Sequence, residues 1–151
     1  MEHTYETSII DVIANDIHSE WRKSWKKNPD NISGNDSRIK NGEDINRPFY
    51  DLKNPKNKHE NLMSAIVGIN CVLNGMSREC SSAIIHDAWV QRNQEWASDK
   101  QKISYCLLSE EEKEKDRMVY DFALKHHLLA MNIVKILNDD SLLNISKIDH
   151  I

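Results

Sequence analysis

The residues best suited to chemistry are tryptophans, histidines and arginines set at helical spacing. Two His-x-x-Trp pairs occur, His18 with Trp21 and His86 with Trp89. Positions i and i+3 share a helix face, so each imidazole lies beside an indole. A further tryptophan follows each pair, Trp25 in the first case and Trp96 in the second. Arg22 directly follows Trp21, Arg92 lies between Trp89 and Trp96, and Arg47 precedes Pro48-Phe49-Tyr50. One reading makes the tryptophans core residues, each with a hydrogen-bonded histidine fixing helix packing. The other makes them a ligand platform, where indole stacks a base and imidazole or guanidinium holds a phosphate. Arg92 on an apolar stripe is costly unless paired. It is expected either to meet Asp87, Asp99 or Asp116, or to face a cleft and bind an anion. If the segment before Pro48 folds over the domain, Arg22, Arg47 and Tyr50 line one opening with the first tryptophans.

Familiar catalytic patterns are missing. His18-Ser19-Glu20 has the H-x-E form of a zinc deaminase, but no P-C-x-x-C follows. His126 and His127 are adjacent, so on a helix they diverge by about 100° instead of converging like ligands at i and i+4. His59-Glu60 lacks the second histidine of H-E-x-x-H. No Walker loop, G-x-S-x-G or dinucleotide fingerprint is present, and 4 glycines leave little room for one. No catalytic residue, metal ligand or cofactor is therefore assigned.

Composition narrows the class. The chain has 151 residues, 39% of them hydrophobic and 29% charged. That is one domain by prior, long enough for a core, with a well-solvated surface. No apolar run approaches the ~20 residues of a membrane span, and no basic-then-apolar leader opens the chain. A cytoplasmic protein is expected. The net charge of -4 argues against sequence-independent nucleic-acid binding. Residues 22 to 58 are nonetheless locally basic, with Arg22, Lys26, Arg38, Arg47 and Lys58 among ten cations. This is either a solvated loop or a positive surface for an anion. Cys71, Cys80 and Cys106 form no C-x-x-C and are expected as free thiols.

The positioning elements read as helices. Ile10, Ile13, Ala14, Ile17, Trp21 and Trp25 form one stripe from about Thr7 to Lys26. Residues 29 to 48 lack periodicity and read as a long loop, either a lid or an insertion. Pro48 to Leu52 is expected to be a short extended anchor. A helix from about Lys56 to Asn74 follows, stopped by Gly75. Ser77 is a fitting N-cap for a third helix carrying Ile85, Trp89, Arg92 and Trp96 on one line. Ile103 to Leu108 reads as a second extended anchor. Ser109 and Glu112 have capping-box form ahead of a long helix to about Leu137. The expected fold is mainly α, with at most short extended segments.

The order helix, anchor, helix thus occurs twice, in halves at about 7–75 and 77–138, with a tail at 139–151. The second copy runs His86-x-x-Trp89, Arg92, Trp96, Tyr105, Leu108, Glu112-Lys113-Glu114-Lys115-Asp116-Arg117 and Ala123-Leu124-Lys125. This order resembles the ryanodine-receptor repeat (RyR) domain, and the whole chain is similar to small stand-alone bacterial and phage proteins of that family. The family's Gly-Trp-x-Tyr-Gly turn is replaced, with Glu95 before Trp96 and Ala97-Ser98-Asp99 after it. The resemblance implies a single helical, non-enzymatic recognition domain over 1–151. It further implies a small anionic nucleotide-derived ligand, sensed or sequestered in phage–host conflict. Trp21, Arg22, Arg47, Tyr50, His86, Trp89, Arg92 and Trp96 are the candidate ligand-binding residues. The competing reading is a protein-interaction or homo-oligomerisation module using the last helix or the apolar tail.

Overall fold

The structure, a computed structural model, describes residues 8–34 and 36–139. It is mainly α, with seven α-helices and two 3-10 turns among the described residues. The helices are α1 (Ile9–Lys26), α2 (Pro29–Ile32), α3 (Ser37–Lys40), α4 (Pro55–Leu73), α5 (Arg78–Arg92), α6 (Asp99–Lys102) and α7 (Glu110–Leu137). The 3-10 turns span Phe49–Asp51 and Tyr105–Leu107.

Local chemistry sets the helix ends. Ser8 and Asp11 form a full capping box at the start of α1. Ser77 caps α5 by accepting from the Cys80 amide. Ser109 accepts from the Glu112 amide at α7, but Glu112 does not bond back. Its carboxylate pairs with Lys115. The box expected there is thus half made, while a complete one forms at Ser98 and Gln101 ahead of α6.

Three expectations need correction. Residues 29–48 are not an unstructured loop. Asn28 and Asp36 cap two single-turn helices, α2 and α3, so side chains satisfy the backbone where periodicity is absent. The anchors are not extended strands but 3-10 turns between extended residues, Pro48 and Leu52 in one and Ser104 and Leu108 in the other. Each turn drops one aromatic ring, Phe49 or Tyr105, into the interior. Trp96 does not continue the line of α5. Asn93 ends that helix, its side chain turning back to the Trp89 carbonyl at 2.8 Å, and Trp96 sits in the following turn.

The core gathers Ile13, Ala14, Ile17, Phe49, Leu52, Ala65, Ile69, Ile85, Val119 and Ala123. α4 and α7 cross at its centre, where Gly68 lies against Val119 and Ala123. α1 packs on α4 and α7, and α5 packs on the same two helices. α1 and α5, which carry the two His-x-x-Trp motifs, make no substantial contact with each other. No described helix is long and apolar enough to cross a membrane. The tail at 139–151 lies outside the described residues from position 140 onward.

Candidate functional site

The two motifs are built alike. The His18 Nε2 lies 2.7 Å from the Arg47 carbonyl oxygen. The His86 Nε2 lies 2.7 Å from the Ile103 carbonyl oxygen. A carbonyl can only accept, so each Nε2 carries a proton and donates. Each bond ties a motif helix to the residue two before its aromatic anchor. The next helix repeats the correspondence. Lys58 lies over the Phe49 ring and Lys113 over the Tyr105 ring, at 5.4 and 5.6 Å. Asn61 and Asp116, each the seventh residue of its helix, face the remaining imidazole nitrogen.

There the halves part. Asn61 Nδ2 approaches His18 Nδ1 at 3.3 Å. An amide donor there makes Nδ1 an acceptor, which fixes His18 as the neutral Nε2–H tautomer. Burial lowers the His18 pKa, against the Arg47 carbonyl, with Arg22 adding to the lowering. At His86 the partner is ionisable, with Asp116 Oδ2 3.4 Å from Nδ1. Burial pushes the Asp116 carboxyl well above its ordinary range, opposed by His86 and assisted by Glu112. Burial beside His86 thus favours the protonated form of the Asp116 carboxyl.

The first half gathers Trp21, Arg22 and the segment before Pro48. Trp21 stacks on His18 at 5.7 Å and on Trp25 at 6.2 Å between ring centroids. The Arg38 guanidinium lies over the Trp21 ring at 5.3 Å. Trp25 is buried and donates its indole N–H to Asp36 at 2.9 Å. Asp36 also grips Arg38, and that guanidinium holds the carboxyl well below the usual range. Arg22 Nε donates to the Asn46 carbonyl at 3.1 Å. Beside these groups is an open depression of about 360 Å³, lined by Trp25, Lys26, Asn31, Gly34, Ile39 and Asn46. Among the described residues no acid pairs with Arg22, Lys26 or Arg47. Tyr50 is half exposed and stands edge-on to Phe49. Burial raises its phenol, with Asp11 and Asp16 adding to the effect. Tyr50 thus lies beside the first half of α1, while Arg22 sits toward its end.

The second half is differently committed. Arg92 makes a forked contact with Glu60, at 2.9 Å from Nη2 and 3.1 Å from Nε, and Nη2 also reaches Ser64 Oγ at 3.1 Å. The expected partners Asp87, Asp99 and Asp116 are not used. Glu60 comes from α4, a long-range pairing that no spacing rule could find. Asn93 also donates to Glu60 at 3.1 Å. Trp89 is half-buried and meets Trp96 edge to face at 5.6 Å. Trp96 is 59% exposed, with its N–H held by Asn93 Oδ1.

The eight sequence candidates therefore fall into two separate groups. Trp21, Arg22 and the Arg47 backbone belong to one, with Tyr50 at its margin. His86, Trp89, Arg92 and Trp96 belong to the other, on and after a helix that makes no substantial contact with α1. Lys26 was legible only as part of the basic segment, and Asn31, Ile39 and Asn46 were missed, because single-turn helices and loop carbonyls leave no periodic signal. Among the described residues no cluster of His, Cys, Asp or Glu could hold a metal. The three cysteines are free, Cys71 buried and Cys80 and Cys106 exposed.

Compared with family models, characterised proteins and solved structures, the chain matches none.

Proposed function

We propose that this chain is a non-enzymatic recognition module of the RyR-like kind that binds a small anionic, nucleotide-derived ligand. The ligand sits on the first half, beside the end of α1. One observation carries the reading. Lys26 lines the depression with Trp25 and Asn46, Arg22 reaches the Asn46 carbonyl at its edge, and neither cation has an acidic partner among the described residues. Unpaired cations beside an aromatic wall suit a phosphate attached to a base. Asn31 and Asn46 add polar groups that can orient sugar or base edges.

In this reading the second half serves as scaffold. Arg92 already has a carboxylate, so its charge is less available to a phosphate than that of Arg22. Trp96 remains an exposed indole held in fixed orientation, which suits a secondary contact.

The test is a thermal-shift screen of the full chain against ADP-ribose, cyclic nucleotides and mononucleotides. A ligand at 100 times its Kd stabilises the fold by about 2.7 kcal/mol. A shift with one phosphorylated class, absent with the matching nucleoside, supports the reading. No shift with any compound at millimolar concentration overturns it.

A further inference from the structure

The distal part of α7 is chemically unlike the rest of the surface. His126 bonds Asp16 of α1 at 2.5 Å. Beyond it Leu128, Leu129, Met131, Ile133, Val134, Ile136 and Leu137 are each about half exposed or more. Only Asn132 and Lys135 interrupt them. At about 100° per residue, Ile136, Leu129, Ile133, Leu137, Ala130, Val134 and Met131 sweep an arc of about 220°. A surface helix of a globular protein needs an apolar stripe of only ~100°. The bare area is on the order of 700 Å². That exceeds the ~300–600 Å² of an ordinary monomer's largest patch and approaches the ~800 Å² that one partner gives to a standard interface.

We infer that two copies of this chain associate through residues Leu128–Leu137 of α7. The size of the bare face argues for a second copy, since it approaches what one partner gives to a standard interface. The twelve residues after Asp139 carry five large apolar side chains, Leu142, Leu143, Ile145, Ile148 and Ile151. The face is also compatible with itself. Lys135 is its one charge and lies on the polar edge, so two copies meet without like-charge repulsion across the contact. Such an isologous contact closes as a symmetric dimer. The inference is independent of the anion reading, since none of its residues touches the α1 depression.

Sedimentation equilibrium of the full chain at about 100 µM tests this, because an interface with a Kd of ~10 µM is then mostly occupied. The expected mass is twice the 17.6 kDa of the monomer. The double variant Leu129→Glu/Ile133→Glu should be monomeric with an unchanged far-ultraviolet spectrum, because both side chains project away from the core. A second variant, Ile145→Glu/Ile148→Glu, should stay dimeric. A monomeric wild-type chain overturns the inference. A dimer that survives in Leu129→Glu/Ile133→Glu places the interface elsewhere and also overturns it. Loss of the dimer in Ile145→Glu/Ile148→Glu, with Leu129→Glu/Ile133→Glu unaffected, gives the contact to the tail and does the same.

Discussion

His18 and His86 make the same carbonyl bond but answer to different partners, and the difference has a pH signature. Asn61 keeps His18 neutral at no cost in charge. Asp116 must either keep a proton or bury a carboxylate beside His86. Its folded pKa, raised from 3.8 to about 7, lies above the unfolded value. The associated stability is fully present below 3.8 and is lost as pH rises through about 7. Asp116→Asn copies the first half and removes that loss. Its melting temperature relative to wild type should therefore climb from pH 5 to pH 8.5, a trend read by calorimetry across pH. A variant destabilised equally at every pH would show that titration of Asp116 does not set the trend. His18 has the opposite sign, because its folded pKa is lowered. Its contribution is present above 6.5 and lost as pH falls through the folded value. Asp116→Asn should retain that acid-side decline.

Arg92 makes a second residue-scale case. It is partly buried and forked onto Glu60. Removing Glu60 strands a partly desolvated guanidinium and the Asn93 amide. Glu60→Ala should cost about 1–2 kcal/mol by urea denaturation, less than a fully buried pair because solvent reaches both partners. A change below a few tenths would make the contact incidental. The sequence showed that a charge on this stripe needs a partner or a cleft. It could not choose Glu60, which is brought close only by the packing of α4 on α5.

At the scale of elements, the long helices were legible and the short ones were not. The stripe from Ile10 to Trp25 and the signals at Ser77, Gly75 and Ser109 place the long helices to within a residue or two, except at the end of α5, which stops at Arg92, short of Trp96. α2, α3 and α6 are four residues each, too short to show periodicity, and rest on their caps. The anchors read as extended because single aromatics among polar residues resemble strand alternation. Their 3-10 turns depend on where Phe49 and Tyr105 must go. The crossing of α4 and α7 was also hidden in the sequence, since Gly68 appears there as an ordinary helix glycine. A Cβ at Gly68 would lie 3.3 Å from the Ala123 Cβ, an atom that moves only with its helix. Gly68→Leu should destabilise the fold by about 2–3 kcal/mol through forced separation of α4 and α7. Thermal melting checks it, and an unchanged midpoint would mean the crossing is loose.

At the scale of the molecule, the two halves carry matching contacts. Matching carbonyl bonds at His18 and His86, and matching lysine–aromatic contacts at Lys58 and Lys113, appear in both halves. The order of motifs suggested the correspondence of the halves, but could not reveal that α1 and α5 make no substantial contact. That arrangement divides the candidate residues and makes the two halves chemically unequal. One retains unpaired arginines and an open depression, and the other spends its arginine on Glu60. The proposed ligand belongs to the first half. Isothermal titration of the nucleotide class that shifts the wild-type melt, repeated on two variants, tests this most directly. Arg22→Ala/Lys26→Ala should weaken binding at least tenfold, a loss of about 1.4 kcal/mol or more. Arg92→Ala, though less stable, should bind within about twofold of wild type wherever it remains folded. Equal affinity in wild type and Arg22→Ala/Lys26→Ala, or loss of binding in folded Arg92→Ala, would contradict the account.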